Sequence, residues 1–383
     1  MPFIVHARRA CARAARVLTQ YRREYIALSA GNGDHGRLGH GSPDEAHDGW
    51  SPRSSNYFHP VEGVSDLDVR AVAAGGAHSV FLVAGGHVFT CGLNADGQLG
   101  HSAGLPFSPE PMLVRLDVEV VSVAAGNGHT LCVDVDGCVW AFGKNTAGQL
   151  GTGNVDGTIP RKIGALAKEA RVAQVACGAE HSLAVADDGR VYSWGSSTDG
   201  VLGHGSETWN DGWFYRTARA ELAPRLVRSL EDKKVVAVAA GHMHSACIDD
   251  RGNLYTWGQG RFNQLGLSAK PSDHETTPSP VMSLRFVHEI ACGGLHSLAN
   301  TNAGVVSWGA NQHGELGHGH HSDIKSAVPK PIKMGSRGWS KLAAGWKHSA
   351  GIANGKLFAW GFGGSMGSYC LLYTSDAADD SQC

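Results

Sequence analysis

One phrase is written six times along this chain, and it limits what the chain can fold into. It reads small residue-Gly, two residues, His-Ser or His-Thr, then an aromatic-Gly pair, then Gly-x-Leu-Gly. The His-Ser/Thr pairs begin at His78, His129, His181, His244, His296 and His348, with gaps of 51, 52, 63, 52 and 52 residues. A period near fifty marks a repeat architecture, in which each copy buries its core only by stacking on its neighbours.

One copy can be read as strands. Arg171 to Gly178 reads as a short inner strand whose Val and Ala suit a crowded site near an axis. His181 to Ala186 follows as a second strand, and Asp188-Gly189 supplies the positive φ of a hairpin turn. Val191 to Trp194 alternates as a third strand. A Pro-led segment, Pro224-Arg225-Leu226-Val227, suits an outer edge, where a missing ladder donor is tolerated. Four antiparallel strands per unit describe a propeller blade, so the fold class is all-β. The aromatic position and the closing Gly are nine residues apart in every copy that has both. Length varies after that Gly. The next His comes 39 residues after Gly39 and 41 after Gly203, against 29–31 elsewhere, so two loops carry insertions.

Composition narrows the class further. No stretch offers the run of about 18 apolar residues that a membrane-spanning helix needs. The net charge is −2, yet residues 1–30 hold six Arg against Glu24, which leaves −7 on the rest. A body of that sign gives no general electrostatic reason to bind nucleic acid. Nine cysteines without a C-x-x-C pair fit a reducing compartment better than a disulfide framework. Residues 1–29 read as an address: Met1 to Arg23 is acid-free, and its Arg residues gather opposite Phe3, Ala7, Ala14 and Leu18 on a helix. An Arg-rich amphipathic helix predicts a mitochondrial transit peptide, with a nuclear or cytoplasmic site as the alternative.

The motifs Val175–Ser182 (V-A-C-G-A-E-H-S), Asp188–Gly195 (D-G-R-V-Y-S-W-G) and Gly148–Gly153 (G-Q-L-G-T-G) resemble the regulator of chromosome condensation repeat. Gly345-Trp346-Lys347-His348 and Trp360–Ser365 are most similar to mitochondrial members of plant type. The resemblance implies a seven-bladed β-propeller of four-stranded blades over residues 30–369, in which the chain termini share one blade. Here there are six full repeats and partial units at both ends. Trp360-Gly361 has no Leu-Gly after it, and residues 370–383 share nothing with the repeat. The expectation is therefore a C-terminally truncated, open ring followed by a non-native tail.

Six histidines at one repeat position are too many for a catalytic group, which is needed once. His78, His129, His181, His244, His296 and His348 are read as structural, hydrogen-bonding inner-strand residues. His318-x-His320-His321 is the most metal-like cluster, but it lacks a fourth ligand and His318 recurs in the Leu-Gly-His turn. No catalytic, cofactor or metal residue is expected. Partner binding is assigned to the insertion carrying Trp209, Trp213, Phe214, Tyr215 and Arg216, because aromatics with Arg compose binding hot spots. A weaker candidate holds Trp50, Arg53, Tyr57 and Phe58. Trp346 and Lys347 join the list, expected on the face opposite the Leu-Gly turns. A light-absorbing cluster like that of the family's ultraviolet-B receptor needs several Trp and Arg residues before the repeat His. One Trp and no Arg cannot build it.

These observations predict a non-catalytic, mitochondrial scaffold that offers a rim of loops to a protein partner such as an organellar complex supporting gene expression. The first alternative is a guanine-nucleotide exchange factor for a small GTPase. The second is an organellar RNA-associated factor.

Overall fold

The computed structural model describes residues 3–7, 26–41, 54–101, 104–157, 159–205, 220–267, 273–319, 325–334, 338–362 and 371–372. Six sheets have four antiparallel strands each. Blade 1 comprises Val69–Ala74, His78–Val83, Val88–Leu93 and Phe107–Leu113. Blades 2 to 5 repeat this order from Val120, Val172, Val235 and Val287, and blade 6 starts at Trp339. The seven four-stranded blades expected from the repeat are thus corrected to six. Between the first and the sixth lies a three-stranded N-terminal sheet of Phe3–Ala7, Ile26–Asn32 and Ser54–Pro60.

Two further expectations change with it. Phe3–Ala7 is a strand paired with Ile26–Asn32, where the Arg spacing had suggested a helix. The ring is also not open. Phe58 of the N-terminal sheet packs against Ala350 of blade 6, as do Leu357 and Ala359. On the other side, Ala27, Val61 and Val64 join Val69, Phe81 and Cys91 of blade 1. In blade 6 the fourth strand is Leu371–Leu372, from the segment that repeat-matching had set aside.

Each blade forms because its strands have different surroundings. The second strand is buried on both faces, as in His181–Ala186, and so reads as an unbroken run of apolar and small residues. The fourth strand faces solvent, and Pro109, Pro224, Pro278 and Pro329 sit in it where no ladder donor is required. Inner strands end in Ala-Ala or Ala-Cys, small enough for neighbouring blades to converge.

No single central core exists. Apolar clusters lie between blades: Leu131, Val133 and Ala141 of blade 2 meet Val172, Val175 and Trp194 of blade 3. A fully buried aliphatic or Phe side chain in such a seam contributes about 1.5–3 kcal/mol. Among the described residues, no helix is long and apolar enough to cross a membrane.

Candidate functional site

The repeat histidines open the second strand of each blade; they are not in the innermost strand. Their register sets a relay across the seams. His78 Nε2 lies 2.9 Å from Thr130 Oγ1 of the next blade, and His129 Nε2 lies 3.0 Å from Ser182 Oγ. His181 meets Ser245 at 3.0 Å, His244 meets Ser297 at 2.9 Å, and His296 meets Ser349 at 2.8 Å. Every one of these hydroxyls also donates backwards, to the carbonyl of Gln98, Gln149, Val201, Gln264 or Glu315 at 2.7–2.9 Å. A hydroxyl has one proton, so it must accept from the imidazole. That assigns the neutral Nε2–H tautomer to each relay histidine. The Nδ1 atoms of His78, His129, His244 and His296 make no hydrogen bond.

Burial enforces the neutral form. It pushes the pKa of His78 and His296 down to about 4 and that of His129, His181, His244 and His348 down to about 3. Charging such an imidazole would cost its hydration without supplying a counter-ion. The motif's first glycine follows from the same packing. A Cβ on Gly178 would lie 2.1 Å from His181 Cε1 and 2.7 Å from the Gly241 carbonyl oxygen.

The rest of the motif completes the seam. Trp194, Trp257, Trp308 and Trp360 donate Nε1–H to the carbonyls that also receive the relay hydroxyls, at 2.8–2.9 Å. The closing glycine lies against that indole. At Gly266, with φ of +67°, a Cβ would sit 2.7 Å from Trp308 Nε1. His318 reaches Ser307 Oγ at 2.9 Å while Ser307 donates to the Leu316 carbonyl, a contact of the Leu-Gly-His turn. His204 makes the same contact with Ser193 at 3.0 Å. His320 and His321 lie outside the described residues. Among the described residues, no group of three His, Cys, Asp or Glu is placed to hold a metal ion.

The exposed chemistry sits at one end of the blades. Gly92 pairs with His78, so the bend before each histidine and the turn after each third strand emerge together. This corrects the expectation that Trp346 and Lys347 face away from the Leu-Gly turns. The bends are joined around the axis by backbone bonds: Gly76 N–H to Gly126 C=O, His242 N–H to Gly293 C=O, and Gly294 N–H to Gly345 C=O, at 3.0–3.1 Å.

On this platform Trp346 is 37% exposed and stands edge-on to His242, with centroids 4.2 Å apart. Lys347 Nζ is 5.7 Å from the Phe362 ring centre, and His313 lies 4.9 Å from the same ring. Lys325 Nζ lies 4.6 Å over Phe262 and donates to the Arg261 carbonyl at 2.6 Å. Across the axis, Lys144 pairs with Glu180 at 2.6 Å.

The structure brings Trp346 and Lys347 together with His242, His313 and Phe362, three residues that sequence reasoning did not single out. Their common signal is position: each lies in a bend or turn flanking the repeat motif. Trp209, Trp213, Phe214, Tyr215 and Arg216 fall outside the described residues, as do Trp50 and Arg53. Phe58 is half-buried against blade 6, so it serves the seam.

Known proteins match both sequence and fold. The model of the RCC1-like domain matches residues 26–379. The chain is 33% identical over 305 residues to the ultraviolet-B receptor UVR8 of Arabidopsis thaliana, covering 77% of this chain and 65% of the receptor. It is 34% identical over 285 residues to the human E3 ubiquitin-protein ligase HERC2, covering 73% of this chain and 6% of HERC2. The chain thus spans less than two thirds of these relatives. Among solved structures, human WBSCR16 has a TM-score of 0.74 at 25% identity, covering 89% of this chain and 90% of that one. Prp20p of Saccharomyces cerevisiae has a TM-score of 0.74 at 22% identity, covering 88% and 81%. The expectation of a non-enzymatic protein is corrected by this company, because E3 ubiquitin-protein ligases are among the sequence relatives.

Proposed function

The chain belongs to the RCC1-like domain family, and from that premise we propose that it is an interaction propeller that engages a small GTPase and promotes nucleotide exchange. The observation that carries this reading is the platform of bends and turns. Backbone bonds hold it rigid around the axis, and it displays Trp346, Phe362, Lys347 and Lys325 together. Exchange requires no acid–base group. It requires a surface that binds the nucleotide-free partner more tightly than the loaded one, and a preorganised platform loses little freedom on binding.

Prp20p, a propeller of the same fold, is described with its binding properties to Gsp1p and histones, which supports asking the question of GTPases first. Release of a fluorescent guanine nucleotide from a panel of small GTPases tests the proposal. Acceleration by the full chain is expected, with reduced acceleration by Trp346→Ala. No acceleration at micromolar chain across the panel would overturn it.

For its place of action we infer the nuclear or cytoplasmic alternative. Cleaving residues 1–29 as a transit peptide would remove strand Phe3–Ala7 and the first part of Ile26–Asn32 from the N-terminal sheet. Imaging of a C-terminally tagged chain, with its N-terminus sequenced after purification, checks this. A mitochondrial signal with a cleaved product would reverse it.

A further inference from the structure

We propose that one half of the bend platform, from the turn of blade 4 to the end of blade 6, is a docking surface for an acidic peptide segment of a protein partner. This rests on the platform being the docking face, and adds the chemistry of what docks. The half-platform carries Arg261, Lys325 and Lys347 as cations. Between them stand three partly exposed rings, Phe262, Trp346 and Phe362. Two of the cations already lie against rings, Lys325 on Phe262 and Lys347 on Phe362, so their charge is held at the surface in fixed positions.

Among the described residues, most acids of this end lie elsewhere. Asp34, Asp96, Glu180 and Asp199 belong to the N-terminal sheet and blades 1 to 3, where Glu180 is paired with Lys144 and Asp199 accepts from Gln259. Asp273 and Glu275 border the half-platform where the fourth strand of blade 4 begins, and the Asp273 carbonyl accepts from the Gly260 N–H at 2.9 Å. Glu315 lies within the half-platform, but it is 3% exposed and its carboxylate caps the His313 N–H at 2.6 Å.

Cations fixed against exposed rings are what make the surface selective. A segment alternating carboxylates with apolar side chains can pair with the cations and cover the rings in one pose. A basic segment meets like charge on the same half. Nucleic acid offers anions and flat bases, but a body of net charge −7 outside the first 30 residues repels a long polyanion. A short acidic peptide escapes most of that field, because salt screens charges more than about 10 Å away.

Fluorescence anisotropy with the full chain tests the proposal. The probe is a labelled peptide of about twelve residues alternating Glu and Leu, compared with a Lys–Leu peptide and an oligouridylate of similar length. The Glu–Leu peptide should bind, and bind less well as salt is raised. Lys347→Glu and Arg261→Glu should each weaken it about tenfold, while Lys144→Glu on the opposite half should leave it unchanged. All three variants change side chains with solvent access, and an unaltered melting temperature confirms the fold. Preference for the Lys–Leu peptide or the oligouridylate, or full affinity in Lys347→Glu, would overturn the inference. The two proposals fail separately. GTPase activation without peptide binding removes only the acidic segment, and peptide binding without any GTPase response removes only the exchange reading.

Discussion

Blades 1 to 6 and the N-terminal sheet occupy the same ring but are joined by different forces. At the five seams between blades 1 and 6, a buried imidazole and a hydroxyl tie one blade to the next. At the N-terminal sheet the register sets Phe3 opposite Ala30, whereas Ser79 stands opposite Cys91 and Ser182 opposite Trp194 in the blades. The seam with blade 1 keeps the repeat's hydroxyl-to-carbonyl bond, from Ser79 to the Arg37 carbonyl at 2.6 Å, and adds a bond from the Arg37 guanidinium to the Gly76 carbonyl at 3.2 Å. The seam with blade 6 uses apolar contact at Phe58. The comparison teaches that repetition specifies the seams through polar matching, while closure adds contacts from outside the repeat, at the Arg37 guanidinium and at Phe58.

Acid is the strongest way to separate the two. Each relay histidine has a folded pKa depressed from an ordinary value near 6.5, so its neutral form stabilises the fold fully above that value. Stability is lost as pH falls from 6.5 towards the folded values of about 3 to 4. At pH 5 the loss is about 2 kcal/mol per histidine, and six such groups together are comparable to the whole stability of a domain. Circular dichroism should show cooperative unfolding between about pH 6 and 5. A melting temperature that stays flat from pH 7 to 5 would remove the relay as a source of stability.

Next in size is Trp308→Ala. It opens a cavity in the seam and takes one of two donors from the Gln264 carbonyl, so a loss of about 3–5 kcal/mol is expected in denaturant titration. A loss under about 1 kcal/mol would mean the seam re-packs freely. Phe58→Ala is the matching change at the closing seam. Phe58 is only half-buried, so about 1–2 kcal/mol is expected, measured the same way. A loss as large as that of Trp308→Ala would show closure to be as tightly specified as the repeats.

Most of the blade architecture was legible from the chain. His181–Ala186 was placed to the residue, because the second strand is covered on both faces and has no freedom to mix polar and apolar positions. Closure was not legible. In Met1–Arg23 the Arg residues fall at helical spacing and masked the short run Phe-Ile-Val-His-Ala, whose β-branched centre suits a strand. Leu371–Leu372 is two residues long and follows no motif, so its pairing depends on the tertiary frame alone.

The bend platform was half legible. Trp346 and Lys347 stood out as unusual residues at a repeat position. Their neighbours Phe362 and His313 come from other segments of the chain, and only the antiparallel register brings them alongside. Which end of the blades they share depends on the same register, since His348 pairs with Gly361.

The relay has a direction. Each blade offers an N–H forward and a hydroxyl backward, so any blade fits behind any other, much as monomers with complementary ends add to a growing polymer. Such a series contains no internal instruction to stop at six. That series runs through six four-stranded blades and meets its own beginning at the three-stranded N-terminal sheet. The number of units is therefore left to curvature, the small rotation that each seam adds until the last blade reaches the first sheet.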